Sequence, residues 1–109
     1  MASRAELLQG TLDLLILKSL VSGSLHGWGI SKRLRDMSHD AFAVGQGSLY
    51  PALYRLEDRG WITASWKTSD EGRRAKFYTL TAAGKKQFAV ERSQWRHFAA
   101  SIEAVLTST

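Results

Sequence analysis

The chain has 109 residues, room for one small domain and one additional helix, and so small a core makes a partner subunit a reasonable expectation. Fifteen Lys and Arg against ten Asp and Glu leave a net charge of +5, which suits nucleic acid without singling it out. With no cysteine, disulfides, thiolate zinc sites and cysteine nucleophiles are excluded.

No N-terminal stretch has the layout of a secretory signal, and the apolar run from Leu12 to Val21 is broken by Asp13 and Lys18 and too short to span a bilayer. The chain therefore reads as cytoplasmic, with no membrane partner. Leu7 to Val21 is expected to be a helix. Leu8, Leu12, Leu15 and Ile16 form one face, and Leu7, Leu14, Leu17 and Val21 flank it. A helix apolar nearly all round needs cover nearly all round, which argues for a partner chain. A second helix is expected over Gly27–Met37, with Ile30, Leu34 and Met37 on its buried stripe and Lys32 and Arg35 outward. Ser38 to Gly47 reads as a loop with Phe42 and Val44 tucked in.

The third helix opens near Ser48 and ends at Gly60. Leu49, Leu53 and Leu56 lie at i, i+4 and i+7, while Pro51, Tyr54, Arg55 and Asp58 point the other way. With that start, Pro51 sits in the first turn, where an amide has no intrahelical acceptor. Past Gly60 the period changes from 3.6 to 2. Ile62, Ala64 and Trp66 alternate with Thr63, Ser65 and Lys67; Asp70-Glu71-Gly72 is a turn; Arg73 to Thr81 returns as a second strand. The tip and rising arm of this hairpin hold Arg73, Arg74 and Lys76. Thr81 then caps a last helix, Ala82–Leu106. Its seam carries Phe88, Trp95 and Ile102 at one heptad position and Phe98 and Val105 at another, with Glu91 breaking the second series. Such a seam asks for a partner helix.

Three helices and a basic-tipped hairpin, in that order, make an α+β, mainly α fold: a winged helix-turn-helix over residues 1–81, with a dimerisation helix over 82–109. In that architecture the third helix enters the major groove and the hairpin reaches phosphates or the minor groove nearby. Two stretches, Gly47-Ser48-Leu49-Tyr50-Pro51-Ala52-Leu53-Tyr54-Arg55-Leu56-Glu57-Asp58-Arg59-Gly60-Trp61-Ile62 and Gly72-Arg73-Arg74-Ala75-Lys76-Phe77-Tyr78-Thr79-Leu80-Thr81-Ala82-Ala83-Gly84, resemble the signature of the PadR family of bacterial transcriptional regulators. His26-Gly27-Trp28-Gly29-Ile30 resembles the family's second helix, with Gly29 where an acidic residue is common. The resemblance implies a homodimer on a palindromic operator, usually a repressor. The single C-terminal helix is similar to the family's short branch, whose multidrug-sensing members place a Trp from this helix beside a flat hydrophobic pore. Trp95 stands at the matching position.

The DNA candidates are Ser48, Tyr50, Pro51, Tyr54 and Arg55 on the third helix, Arg73, Arg74 and Lys76 on the wing, and Lys32 and Gln9 at the backbone. Tyr50 either meets DNA or packs under the second helix. Trp95, with Phe98, either receives a planar hydrophobic effector or is plain dimer core. Trp28, Trp61 and Trp66 read as structural. His26, His39 and His97 lie in different elements with no HxxxH or HExxH pairing, and neither a nucleophile elbow nor a phosphate loop is present, so no metal, cofactor or enzyme activity is expected. The competing readings are a winged-helix module for protein–protein assembly with no DNA function, and a DNA-binding regulator that senses nothing by itself.

Overall fold

The computed structural model describes residues 4–109, with side chains from Gly10 onward, so Leu7, Leu8 and Gln9 lie outside the described side chains. The elements are α1 (Arg4–Ser19), β1 (Leu25–His26), α2 (Gly27–Met37), α3 (Gln46–Asp58), β2 (Ile62–Thr68), β3 (Arg74–Leu80) and α4 (Ala82–Leu106). The sheet is antiparallel in the order β1-β3-β2. Its third strand, absent from the periodicity, has two residues and pairs Leu25 with Tyr78 and His26 with Phe77.

The core gathers where helices meet sheet. Ile16, Leu17 and Leu20 of α1 pack with Ile30 and Leu34 of α2 and with Leu49, Ala52, Leu53 and Leu56 of α3. Ile62, Tyr78 and Leu80 close it from the sheet. α1 lies against α2, α3 and α4; of its described side chains Ile16 and Leu17 are buried, while Leu12, Leu14 and Leu15 are half-buried. Met37 and Phe42, expected inward, are each 46% exposed, while Val44 does pack against the core.

α3 starts two residues earlier than its sequence suggests, with Gly45 as an extended N-cap that has no side chain to accept from the first amides. Pro51 therefore falls beyond the first turn, and it removes the amide that would have donated to the Gly47 carbonyl. The C-terminal end behaves as expected. Gly60 adopts φ +77°, its amide donates to Glu57 O at 3.0 Å, and the Trp61 amide donates to Leu56 O at 3.0 Å, which closes a Schellman motif.

Thr81 caps α4, its Oγ1 accepting from the Gly84 amide at 2.9 Å and donating to Gly60 O at 2.7 Å. Gly84 is buried where α4 crosses the α3–β2 connection. A Cβ there would collide with the Trp61 carbonyl oxygen and lie 2.8 Å from Leu80 Cδ1. Phe88 packs against the core of its own chain. Beyond Glu91 the helix leaves the body: from Arg92 onward every residue except Ala99 is exposed. This projection accounts for the elongated dimensions of 58 × 29 × 24 Å.

Gly84→Ala is expected to destabilise the chain by about 2–3 kcal/mol, because backbone, which cannot rotate away, is the obstacle. Urea denaturation checks this, and a change below about 0.5 kcal/mol would show that α4 can ride off the Trp61 carbonyl freely.

Candidate nucleic-acid interface

The buried stripe of α3 leaves Ser48, Tyr50, Pro51, Tyr54 and Asp58 exposed, Tyr54 most of all at 73%. With no capping side chain at Gly45, the opening turn of α3 can present its first amides, on the positive end of the helix dipole, to a phosphate. Tyr50 packs against the start of α2 and still keeps an open ring face. Its ring is 46% exposed, yet its hydroxyl oxygen would lie 2.7 Å from a Cβ on Gly27, so Gly27 is what allows α2 to begin against it.

Arg55 departs from the outward placement read from the helix. Its Nη2 donates to Asp13 Oδ1 of α1 at 2.8 Å, with side-chain exposures of 25% and 8%. Burial pushes the Asp13 carboxyl above its ordinary value, while the Arg55 hydrogen bond and the charges of Arg55 and Arg59 pull it down. Glu91 of α4 adds to this junction. Burial raises its carboxyl as well, the Asp13 charge raises it further, and the Gln87 hydrogen bond and the Arg59 charge oppose this. Glu91 Oε1 accepts from Gln87 Nε2 at 3.3 Å, and its buried Oε2 has no donor among the described residues. In the sequence Asp13 interrupts an apolar run. A lone acid on a core helix is itself a signal that a cation must reach it.

On the wing, the turn between β2 and β3 is held by Ser69, whose amide donates to Arg73 O at 2.6 Å, and by Gly72 at φ +79°. Arg73 and Arg74 are exposed. Lys76 is half-buried, with Nζ 3.7 Å from a Glu57 carboxylate oxygen of α3 and 5.8 Å from the Tyr78 ring centroid. Lys32 forms an exposed i, i+4 pair with Asp36 at 2.9 Å.

Two tryptophans read as structural are open to solvent instead: Trp28 is 64% exposed and Trp66 60%. Trp61 alone of the three is half-buried, with the Arg59 guanidinium 5.3 Å from its ring centroid. His26 has a role its sequence did not reveal, capping α2 by accepting from the Gly29 amide at Nδ1, 2.9 Å away. A groove of about 880 Å³ runs between the start of α2, Tyr50 of α3 and the inner face of the wing.

On the projecting part of α4, Trp95 (48% exposed), Phe98 (42%), Ile102 (44%) and Val105 (74%) form an apolar seam, joined at the end by Leu106. The Trp95 and Phe98 ring centroids are 6.1 Å apart, with planes inclined by 25°. Among the described residues no group of three or more His, Cys, Asp or Glu could hold a metal ion, and no helix is long and apolar enough to cross a membrane.

The profile of the transcriptional regulator PadR-like family matches residues 16–90, which takes in α2, α3 and the whole sheet. A negative transcriptional regulator, PadR of Bacillus subtilis, is 32% identical over 74 residues, 66% of this chain and 40% of that one. Among solved structures, a transcriptional regulator from Clostridium thermocellum matches with a TM-score of 0.81 at 28% identity, over 90% of this chain and 95% of that one. A PadR family transcription regulator from Clostridium difficile matches with a TM-score of 0.75 at 29% identity, over 87% and 97%.

Arg55→Ala is expected to cost about 3 kcal/mol at neutral pH, because Asp13 is left buried without its partner. Denaturation of the variant checks it; a loss under about 1 kcal/mol would place the pair among ordinary surface bridges. Asp13 and Glu91 both have folded-state pKa values above the ordinary carboxylate range. The folded state therefore holds their protons more tightly, and the stability they contribute is full below that range and lost as pH rises through the raised values. Glu91→Gln removes one of the two groups. It should stabilise the chain at neutral pH and flatten the thermal-melt profile between acid and neutral pH. An unchanged profile would contradict this.

Proposed function

The chain belongs to the PadR-like family of transcriptional regulators, and on that premise we propose that it is a homodimeric repressor of a palindromic operator, released by a planar hydrophobic effector bound between its subunits. The observation that carries this reading is the bare apolar seam of α4, on the part of the helix that projects beyond its own core. That the Bacillus subtilis relative is a negative transcriptional regulator favours repression.

In this reading residues 1–81 bind DNA and residues 82–109 dimerise. Ser48, Tyr50, Pro51 and Tyr54 face base edges and phosphates, Arg73, Arg74 and Lys76 hold phosphates at the wing, and Lys32 touches backbone. Arg55 fixes the angle of α3 through Asp13 instead of reading bases. Trp95, Phe98, Ile102 and Val105 meet their symmetry mates across the dimer axis, with Phe88 anchoring the root of the helix in its own subunit. The paired Trp95–Phe98 surfaces offer flat aromatic walls, each stack contributing about 0.5–1.5 kcal/mol beyond area burial, so a planar apolar molecule can bind at micromolar levels. Release follows only if the occupied dimer favours a different separation of its two α3 helices, since operator half-sites lie about 34–36 Å apart.

Ile102→Asp would put an unpaired charge into the seam at a cost of several kcal/mol. Analytical ultracentrifugation should show a wild-type dimer and a variant monomer; a wild-type monomer at micromolar concentration overturns the assignment of α4. Arg73→Ala or Arg74→Ala should lower the log–log salt slope of DNA binding by about 0.9 and leave sequence preference nearly intact. Filter binding across a salt series measures both, and an unchanged slope would take these side chains off the phosphates. Trp95→Ala should abolish binding of planar dyes; retained dye binding would place the effector site elsewhere.

A further inference from the structure

Trp28 and Trp66 are more exposed than Trp95, the tryptophan on the seam, and neither lies on α4. Both border the groove between α2, α3 and the wing. Trp66 is opposite Lys76 in the β2–β3 register, two residues beyond the Ala64–Tyr78 pair and four beyond Ile62–Leu80. All six residues share one face of the sheet, since alternate residues do. Near Ile62 and Leu80 that face is core; at Trp66 it has run past the helices that cover it. Trp28 stands in the first turn of α2, its ring 6.1 Å from that of His26. His26 is in turn fixed by its cap on Gly29 and by the Phe77 ring at 5.0 Å. The two indoles are thus held on rigid elements.

The same groove is lined by Tyr50, Arg73, Arg74 and Lys76, four residues of the proposed DNA face, and by one acid, Glu71. Flat apolar walls between cations match the alternation of a nucleic-acid backbone, in which deoxyribose rings present C–H surface between phosphates. We propose that Trp28 and Trp66 grip the sugar–phosphate backbone of one DNA strand in this groove, the indoles against deoxyribose and Arg73 and Arg74 on the flanking phosphates. This rests on the DNA-binding reading above. The contact is independent of sequence because every nucleotide carries the same sugar. It is also independent of charge, so it adds affinity without releasing counterions.

The test titrates the full chain with a short mixed-sequence DNA duplex over a range of salt. Trp66→Ala should weaken binding about tenfold, the weight of one aromatic contact, at an unchanged salt slope, and Trp66→Phe should restore most of the loss. Unaltered affinity would overturn the proposal. So would a loss accompanied by a slope smaller by about 0.9, which would mean that the wing had merely misplaced an arginine. Tryptophan emission gives a second measurement that does not depend on the alanine variant folding. Duplex should quench the wild-type chain, and the double variant Trp28→Phe, Trp66→Phe should lose that quenching while still binding labelled duplex. Equal quenching in both would put the indoles outside the interface. A wild-type chain that binds no duplex at low salt fails the DNA reading itself, before any tryptophan is changed, and takes this proposal with it.

Discussion

The ion pair between Arg55 and Asp13 ties together the two parts of this molecule that must stay in register: α1, which carries the centre of the core, and α3, which carries the candidate DNA face. A carboxylate as buried as Asp13 is tolerable only with a cation against it, so the pair admits a narrow range of positions for α3 on α1. Hydrophobic contacts among Ile16, Leu53 and Leu56 supply most of the favourable energy, but they are non-directional and would permit sliding. The guanidinium–carboxylate geometry would not. The α4 helix enters the same junction through Glu91, whose carboxyl feels the charge of Asp13. The helix with the bare seam and the helix with the exposed polar face therefore meet at one electrostatic node.

The rest of the architecture presents surfaces instead of burying them. Gly84 presses the root of α4 against the Trp61 carbonyl, so the direction in which the helix leaves the body is set by backbone contact. The sheet does the same for the wing. Its inner end is core at Ile62, Tyr78 and Leu80, and its outer end is a free hairpin with Arg73 and Arg74 at the tip. Two projections thus leave one small core, one apolar and one basic.

Much of this was legible in the residues. The leucine stripe of α3, the glycine at its end, the shift to period 2 and the Thr81 cap were all local signals, and local physics decided them. The departures came where a decision was made at a distance. Gly45-Gln46-Gly47 contains no capping side chain, so nothing marked the true start of α3. Leu25-His26 is a strand only because β3 lies beside it. Arg55 sits on the flank of the buried stripe next to the small Ala52, and a long side chain there can turn toward α1; a helical wheel records angle but not reach. Trp66 shares a face with Ile62 and Ala64, as its alternation says, but alternation does not tell how far along a strand the covering helices extend. Trp28 is exposed for a related reason, standing at the very start of its helix.

On the proposed reading, α4 joins two chains so that their α3 helices fall on successive turns of one face of DNA. The chain lacks cysteine, so Asp58→Cys creates a single labelling site at the exposed end of α3, outside the residues proposed to meet DNA. Pulsed electron paramagnetic resonance on the spin-labelled, DNA-bound protein should give one distance distribution centred near the half-site spacing of about 34–36 Å. A sample with no dipolar modulation, or with distances far outside one helical turn of DNA, would contradict the account.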